Sequence, residues 1–136
     1  MGTTLLERCI RAGQECAAAC EAALESDASY TNPGTNPYTS AHLTLVSCAA
    51  VCSLVVRALG EGDGDLELVR WCSEVCTQCA TADCPEGVAP DAWVQVVDAC
   101  TRYASDCHTL EERISQYAHR AFRNRRDSGF QALAAV

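Results

Sequence analysis

Cys72-Ser-Glu-Val-Cys76-Thr-Gln-Cys79 spaces its thiols by four and then three residues, the repeat of one face of an α-helix. Cys16/Cys20 and Cys48/Cys52 repeat the four-residue step, and Cys9/Cys16 and Cys100/Cys107 extend it to full heptads. Eleven cysteines among 136 residues is far above ordinary usage. Thiols in such columns can form disulfides, pack as small hydrophobes, or bind soft metal ions.

Disulfides fit poorly. Two cysteines at i and i+4 of a helix have Cβ atoms roughly 5–6 Å apart, whereas a disulfide needs about 3.5–4.5 Å. Cross-helix pairs stay open, and an odd count leaves one thiol over. Packing alone explains one or two buried cysteines, not ten on inward stripes of a chain that has ample Ala and Val. Metal binding explains them better. Soft thiolates select Cu(I), Zn(II) or an Fe–S cluster. Structural zinc prefers a compact four-ligand knot, and an Fe–S centre wants four thiolates. Long columns on regular helices suit many low-coordinate ions in a row, and Cu(I), which accepts two or three thiolates, matches best. The Cys72/Cys76/Cys79 spacing also matches the cluster motif of radical-SAM enzymes. That motif belongs on a loop of a much larger α/β barrel, so the match carries little here.

Four helices must position these thiols. Helix 1 is predicted from about Thr4 to Ser26, opened by a capping box of Thr4 and Glu7, with Leu5, Cys9, Gly13, Cys16, Cys20 and Ala23 inward. Tyr30-Thr-Asn-Pro-Gly-Thr-Asn-Pro37 is dense in turn formers. Helix 2 runs from Thr39 or Ser40 to Leu59, stopped by Gly60, with Leu45, Cys48, Cys52, Val55 and Leu59 inward. After the turn Glu61-Gly-Asp-Gly64, helix 3 starts near Asp65 and ends before Pro85, carrying Leu68 or Val69 with Cys72, Cys76 and Cys79. Helix 4 starts at Asp91 and reaches Tyr117 or beyond, with Trp93, Val97, Cys100, Tyr103 or Ala104, Cys107, Leu110 and Ile114 inward. Ser128-Gly129 is read as a helix break. No strand-like alternation appears. The expected fold is all-α, an antiparallel up-down-up-down four-helix bundle over residues 1–118, followed by a basic then apolar tail over 119–136. At 1.5 Å rise per residue the cysteines share a band roughly 20 Å long, which predicts a tube lined with sulfur.

Composition narrows the function. At 49% hydrophobic the chain can bury a core without cross-links or metal, so the metal-free protein is expected to fold. A net charge of −8 argues against nucleic acid or anionic membrane as the main partner. No run approaches eighteen uninterrupted apolar residues, so no membrane span is expected. The N-terminus shows neither a basic region nor an apolar run, so a cytosolic setting with reduced thiols is expected. No Ser/His/Asp set, paired core carboxylates or phosphate loop supports hydrolase or transferase chemistry, and a binding protein is favoured over an enzyme.

The pattern resembles a known family, the cysteine-rich four-helix-bundle copper storage proteins of bacteria. The resemblance covers roughly residues 4 to 118 and rests on Cys16-x3-Cys20, Cys48-x3-Cys52, Cys72-x3-Cys76-x2-Cys79 and Cys100-x6-Cys107. It implies many Cu(I) ions held by thiolates inside the bundle, often in a homotetramer, and a protein that donates or accepts the copper. The missing leader resembles the cytosolic branch. Ladder positions Gly13, Ala23, Leu45, Val55, Tyr103 and Leu110 depart from cysteine, so capacity should be lower than in a fully lined bundle. A thinned ladder also fits a discrete metal or Fe–S site in a redox or catalytic role.

The candidate metal ligands are therefore Cys9, Cys16, Cys20, Cys48, Cys52, Cys72, Cys76, Cys79, Cys84, Cys100 and Cys107. Cys84, beside Pro85, reads equally as a ligand at the bundle mouth or a spare thiol. His108 points about 100° away from Cys107 and is expected on the surface, as is His119 in the basic tail. His42, near the start of helix 2, reads as a solvated residue of a helix end ahead of one that lines an open end of the bundle. The Arg120–Arg126 cluster reads as a helix C-terminal end, where cations favour the dipole.

Overall fold

The capping box closes as expected. The Glu7 backbone N–H donates to Thr4 Oγ1 (3.1 Å), and the Thr4 N–H donates to Glu7 Oε2 (3.3 Å). Such a cap contributes about 1 kcal/mol and sets the start of α1, Leu5–Glu25. The computed structural model describes residues 3–27, 40–62 and 66–135. The proposed turn at Tyr30–Pro37 and the start of helix 3 at Asp65 lie outside them. Three more helices follow: α2, Ser40–Gly60, α3, Leu66–Thr81, and α4, Pro90–Ala135.

The connections obey backbone chemistry. Gly60 ends α2, and Gly62, two residues on, takes the left-handed conformation (φ +80°) that terminates the chain's helical course. Between α3 and α4, Gly87 (φ +94°) sits third in a turn closed by Val88 N–H donating to the Pro85 carbonyl at 3.2 Å. Pro90 is the first helical residue of α4, where its missing N–H costs nothing.

Each helix packs against two neighbours, giving a ring α1–α2–α3–α4 that closes on α1. Along the α1–α4 seam Cys9 meets Asp106, Cys16 meets Cys100, and Ser26 meets Ala89. Residue numbers thus climb on one helix as they fall on the other. Along the α3–α4 seam Arg70 Nε donates to Glu111 Oε1 at 3.0 Å, an exposed pair worth about 0–1 kcal/mol. The ring is held by its core instead. Leu45, Val55, Val69 and Val96 are fully buried, each contributing about 1.5–3 kcal/mol.

Several expectations are corrected or narrowed. On α4 the fully buried valine is Val96, while Val97 only packs against the core's edge; of the two residues read for the next turn, Tyr103 is the fully buried one. On α3, where the spacing allowed Leu68 or Val69, Val69 is the fully buried one. Helix α4 does not break at Ser128-Gly129 but continues to Ala135. A helical Gly costs only about 1 kcal/mol, which does not stop an established hydrogen-bond ladder. Helix α2 carries a stretch, His42–Gly60, long and apolar enough to cross a membrane by length and composition. Its inward residues Leu45, Cys48, Cys52, Val55 and Leu59 belong to the bundle core.

At Gly13 the backbone of α1 lies close against the core. A Cβ there would lie 2.4 Å from Val56 Cγ2, 2.7 Å from Tyr103 Cζ and 2.9 Å from Tyr103 Oη. Helix propensity favours Gly13→Ala by about 1 kcal/mol. Overpacking against the buried Tyr103 ring opposes it by about 1–3 kcal/mol. Packing wins because the Cβ would press on two neighbours at once, one of them the fully buried Tyr103 ring. Urea unfolding of G13A should show a net loss of stability with unchanged m-value; a gain would show that Tyr103 yields easily.

Candidate metal centre

Ten cysteines have zero solvent exposure: Cys9, Cys16 and Cys20 on α1, Cys48 and Cys52 on α2, Cys72, Cys76 and Cys79 on α3, and Cys100 and Cys107 on α4. The helical period explains this. Once α1 buries Leu5 and Ala23, the cysteines on the same stripe must be buried too. All are free thiols.

Their sulfurs meet across the bundle. Sγ···Sγ distances are 3.3 Å for Cys16–Cys100, 3.5 Å for Cys16–Cys52, 3.5 Å for Cys52–Cys76 and 3.6 Å for Cys48–Cys100. Within α2, Cys48 and Cys52 lie 4.0 Å apart. Two quartets have all their sulfurs within 4.8 Å of one another: Cys16, Cys20, Cys48 and Cys100, and Cys16, Cys48, Cys52 and Cys76. They share Cys16 and Cys48. Four thiolates about 2.3 Å from one tetrahedral ion would stand about 3.8 Å apart, so the spacing suits direct sulfur ligation of single ions. An Fe–S cluster interposes several atoms between its thiolates. Thiols already in contact leave no room for one unless the helices spread. Because the quartets share two members, they cannot act as two independent closed zinc sites.

The remaining buried thiols extend this cluster. Cys79 joins Cys100, Cys20 and Cys48. Towards the other end, Cys72 lies beside Cys107, Cys52 and Cys76. The Cys9 thiol turns aside and donates to the Asp106 carbonyl at 3.3 Å.

Proton affinity is divided unevenly among them. Hydrogen bonds from neighbouring thiols, Cys100 foremost, favour the thiolate of Cys48 and lower its pKa. Those from Cys107 do the same for Cys72, and those from Cys16 for Cys100. Their partners keep their protons as donors. Hydrogen bonding, mainly to Cys100, raises Cys20, Cys76 and Cys79, while Cys16 raises Cys52 and Cys72 raises Cys107. Burial, then the nearby Asp106 carboxylate, pushes Cys9 from 9.0 up to about 11.

A pH dependence follows for the metal-free fold. A thiol raised in the folded state contributes stability that is present below its unfolded pKa and lost as pH rises through the folded one. Above the unfolded value the three lowered cysteines are ionised in both states and add no slope, so the six raised ones set the sign. The urea midpoint of metal-free protein should fall between pH 9 and pH 11, the window of Cys9. A midpoint that stays flat or rises there would refute the assignment.

The other sequence candidates fall outside this cluster. Cys84 is exposed beyond α3, its thiol facing the Pro85 and Val88 carbonyls at 3.6 and 3.7 Å, and it joins neither quartet. His108 and His119 are exposed as expected, His108 beside Glu112 and His119 beside Arg123. His42 departs from expectation. It is only 2% exposed and bonds to the equally buried Asp27, because the end of α1 folds over the first turn of α2. Asp27 carried no sequence signal, reading as one more acid at an acidic helix end.

A protein-family model described as "Csp: Copper storage protein" matches residues 2–119. Neither a curated protein nor a solved structure matches the chain.

Proposed function

The chain belongs to the copper storage protein family, and from that membership we propose that it binds and stores several Cu(I) ions through its ten buried cysteines. The observation that carries this reading is the pair of buried quartets sharing Cys16 and Cys48. Shared, contacting thiols suit a soft ion content with two or three sulfurs, so that neighbouring ions use common ligands. Each ion displaces thiol protons, so affinity falls at low pH. The apolar core supports a bundle that folds before copper arrives, and the opposed numbering along its seams supports an up-down-up-down course. Residues 119–136 form an appended segment outside the store.

Eleven free thiols suit a reducing compartment, and the reading places the protein in the cytosol. The family resemblance implies a homotetramer. In support, α2 presents Leu43, Val46 and Leu54 outward, each 41–50% exposed, an apolar stripe that a second copy would cover. A protein that donates or accepts copper completes the cycle.

The test is an anaerobic Cu(I) titration of the reduced protein against a competing chelator. Tight uptake of several equivalents per chain, with no visible absorption band, is the expected result. Saturation at one equivalent, or a brown protein containing iron as isolated, would overturn storage in favour of a discrete redox site.

A further inference from the structure

The two heptad gaps in the cysteine ladder face each other. On α1 the step from Cys9 to Cys16 skips Gly13, and on α4 the step from Cys100 to Cys107 skips Tyr103. The phenol fills the space that the missing side chain leaves, its Oη lying 2.9 Å from where a Gly13 Cβ would stand. Tyr103 is the largest fully buried side chain of the described residues. With Val55 and Val56 of α2 it occupies the level between Cys16, Cys52 and Cys100 on one side and Cys9 and Cys107 on the other. Where α1 and α4 carry Gly13 and Tyr103, α3 carries a thiol that links the two sides. Cys72 lies beside Cys107 on one side and beside Cys52 and Cys76 on the other.

We propose that Tyr103 partitions the sulfur core into two copper compartments joined only through Cys72. The first holds the seven thiols of Cys16, Cys20, Cys48, Cys52, Cys76, Cys79 and Cys100. The second holds Cys9 and Cys107, with Cys72 at its edge. This division rests on the Cu(I) reading above and deepens it.

The first compartment is preformed, since both quartets lie in it. The second is not, since Cys9 is turned to a backbone carbonyl and must rotate to bind an ion. The first therefore fills first. The Tyr103 hydroxyl is buried and makes no hydrogen bond of ordinary geometry among the described residues, while lying close enough to the thiols of Cys72 and Cys107 to favour their thiolates. Its neighbours are the thiols of Cys72, Cys107 and Cys52. A neutral thiol is a weak acceptor, whereas a metal-bound thiolate is a strong one. An ion bound at Cys9 and Cys107 leaves a thiolate at Cys107, a stronger acceptor for the Tyr103 hydroxyl than the thiol it replaces. Tyr103 is thus a positioning residue for the second compartment as well as the wall between the two.

The test is the chelator-competed Cu(I) titration of the full chain, with differential alkylation mapped by mass spectrometry at partial loading. The native chain should fill in two stages, the first protecting the seven thiols while Cys9 and Cys107 still react. Tyr103→Phe keeps the wall and removes the donor. It should weaken the second stage relative to the first by about tenfold, within the range for outer-shell partners of a metal. Tyr103→Ala, checked for helicity by circular dichroism, should merge the stages. A single stage in the native chain, protecting Cys9 and Cys107 together with the rest, would overturn the partition and leave storage standing. So would equal weakening of both stages in Y103F, a variant that keeps the core volume. A folded native chain that takes up no copper would overturn the storage reading itself.

Discussion

Replacing Cys16 and Cys48 together by serine should abolish most tight copper uptake. These two residues belong to both quartets, so the double substitution leaves each quartet with two sulfurs. A serine hydroxyl is a hard, neutral ligand that does not replace a soft thiolate for Cu(I). Loss of outer-shell partners alone costs about 10–100-fold in metal affinity, and loss of two direct ligands should exceed that for the first ions bound. Each buried hydroxyl adds a fold cost of about 1–3 kcal/mol where it lacks a partner. The titration must therefore be paired with circular dichroism to show that the variant is still helical. Cys84→Ser is the control. Its thiol is exposed and outside both quartets, so the plateau should stay where it is in the native chain. A C16S/C48S protein that is folded and still takes up copper at native affinity would remove the quartets as the centre of the store.

Asp27→Ala should be the most destabilising single change at the end of the bundle that α1 and α2 share. Asp27 and His42 are 1% and 2% exposed and bonded to each other, and Ser26 beside them accepts from the Ala89 N–H at 3.3 Å. The pair therefore sits where α1 ends, α2 begins and α4 starts. Breaking a buried pair by removing one member costs about 3–5 kcal/mol, because the other stays behind desolvated. For a chain of this size about 3 kcal/mol lowers Tm by about 10 °C. Replacing both members by leucine should cost less than D27A, since neither member is then left without the other. Thermal unfolding of D27A, H42L and D27L/H42L decides the matter. A D27A shift below about 2 °C would show that the pair contributes little.

Much of this molecule is written in the spacing of one residue type. Period and composition suffice to identify four helices, because burying an apolar stripe at 3.6 residues per turn fixes which cysteines turn inward. The capping box at Thr4 and the first-turn proline at Pro90 are equally local, since each depends on residues within one turn. All ten cysteines on the inward stripes are buried, and the one outside them, Cys84, is exposed. The ends of elements were less legible. Ser128-Gly129 has a poor propensity for helix, but propensity is weak beside an existing ladder of backbone bonds.

What the sequence could not decide is what meets across the bundle. Periodicity assigns a residue to a face, but not to a level relative to three other helices, nor to a partner. Val96 takes the place read for Val97, and the choice between Tyr103 and Ala104 falls to Tyr103, because the rotation of α4 about its axis is set only by packing against α1 and α3. The quartets depend on the same rotation and on the vertical offset of four helices, so Cys16 and Cys48 look like any other pair until the bundle is assembled. His42 and Asp27 lie fifteen residues apart, with no periodic relation, and are joined only because the end of α1 folds over the start of α2. Gly13 and Tyr103 read separately as a small residue and an aromatic in an otherwise cysteine-lined stripe. Only the tertiary structure shows that one makes room for the other, because complementary volume is a property of two surfaces in contact and not of either sequence alone.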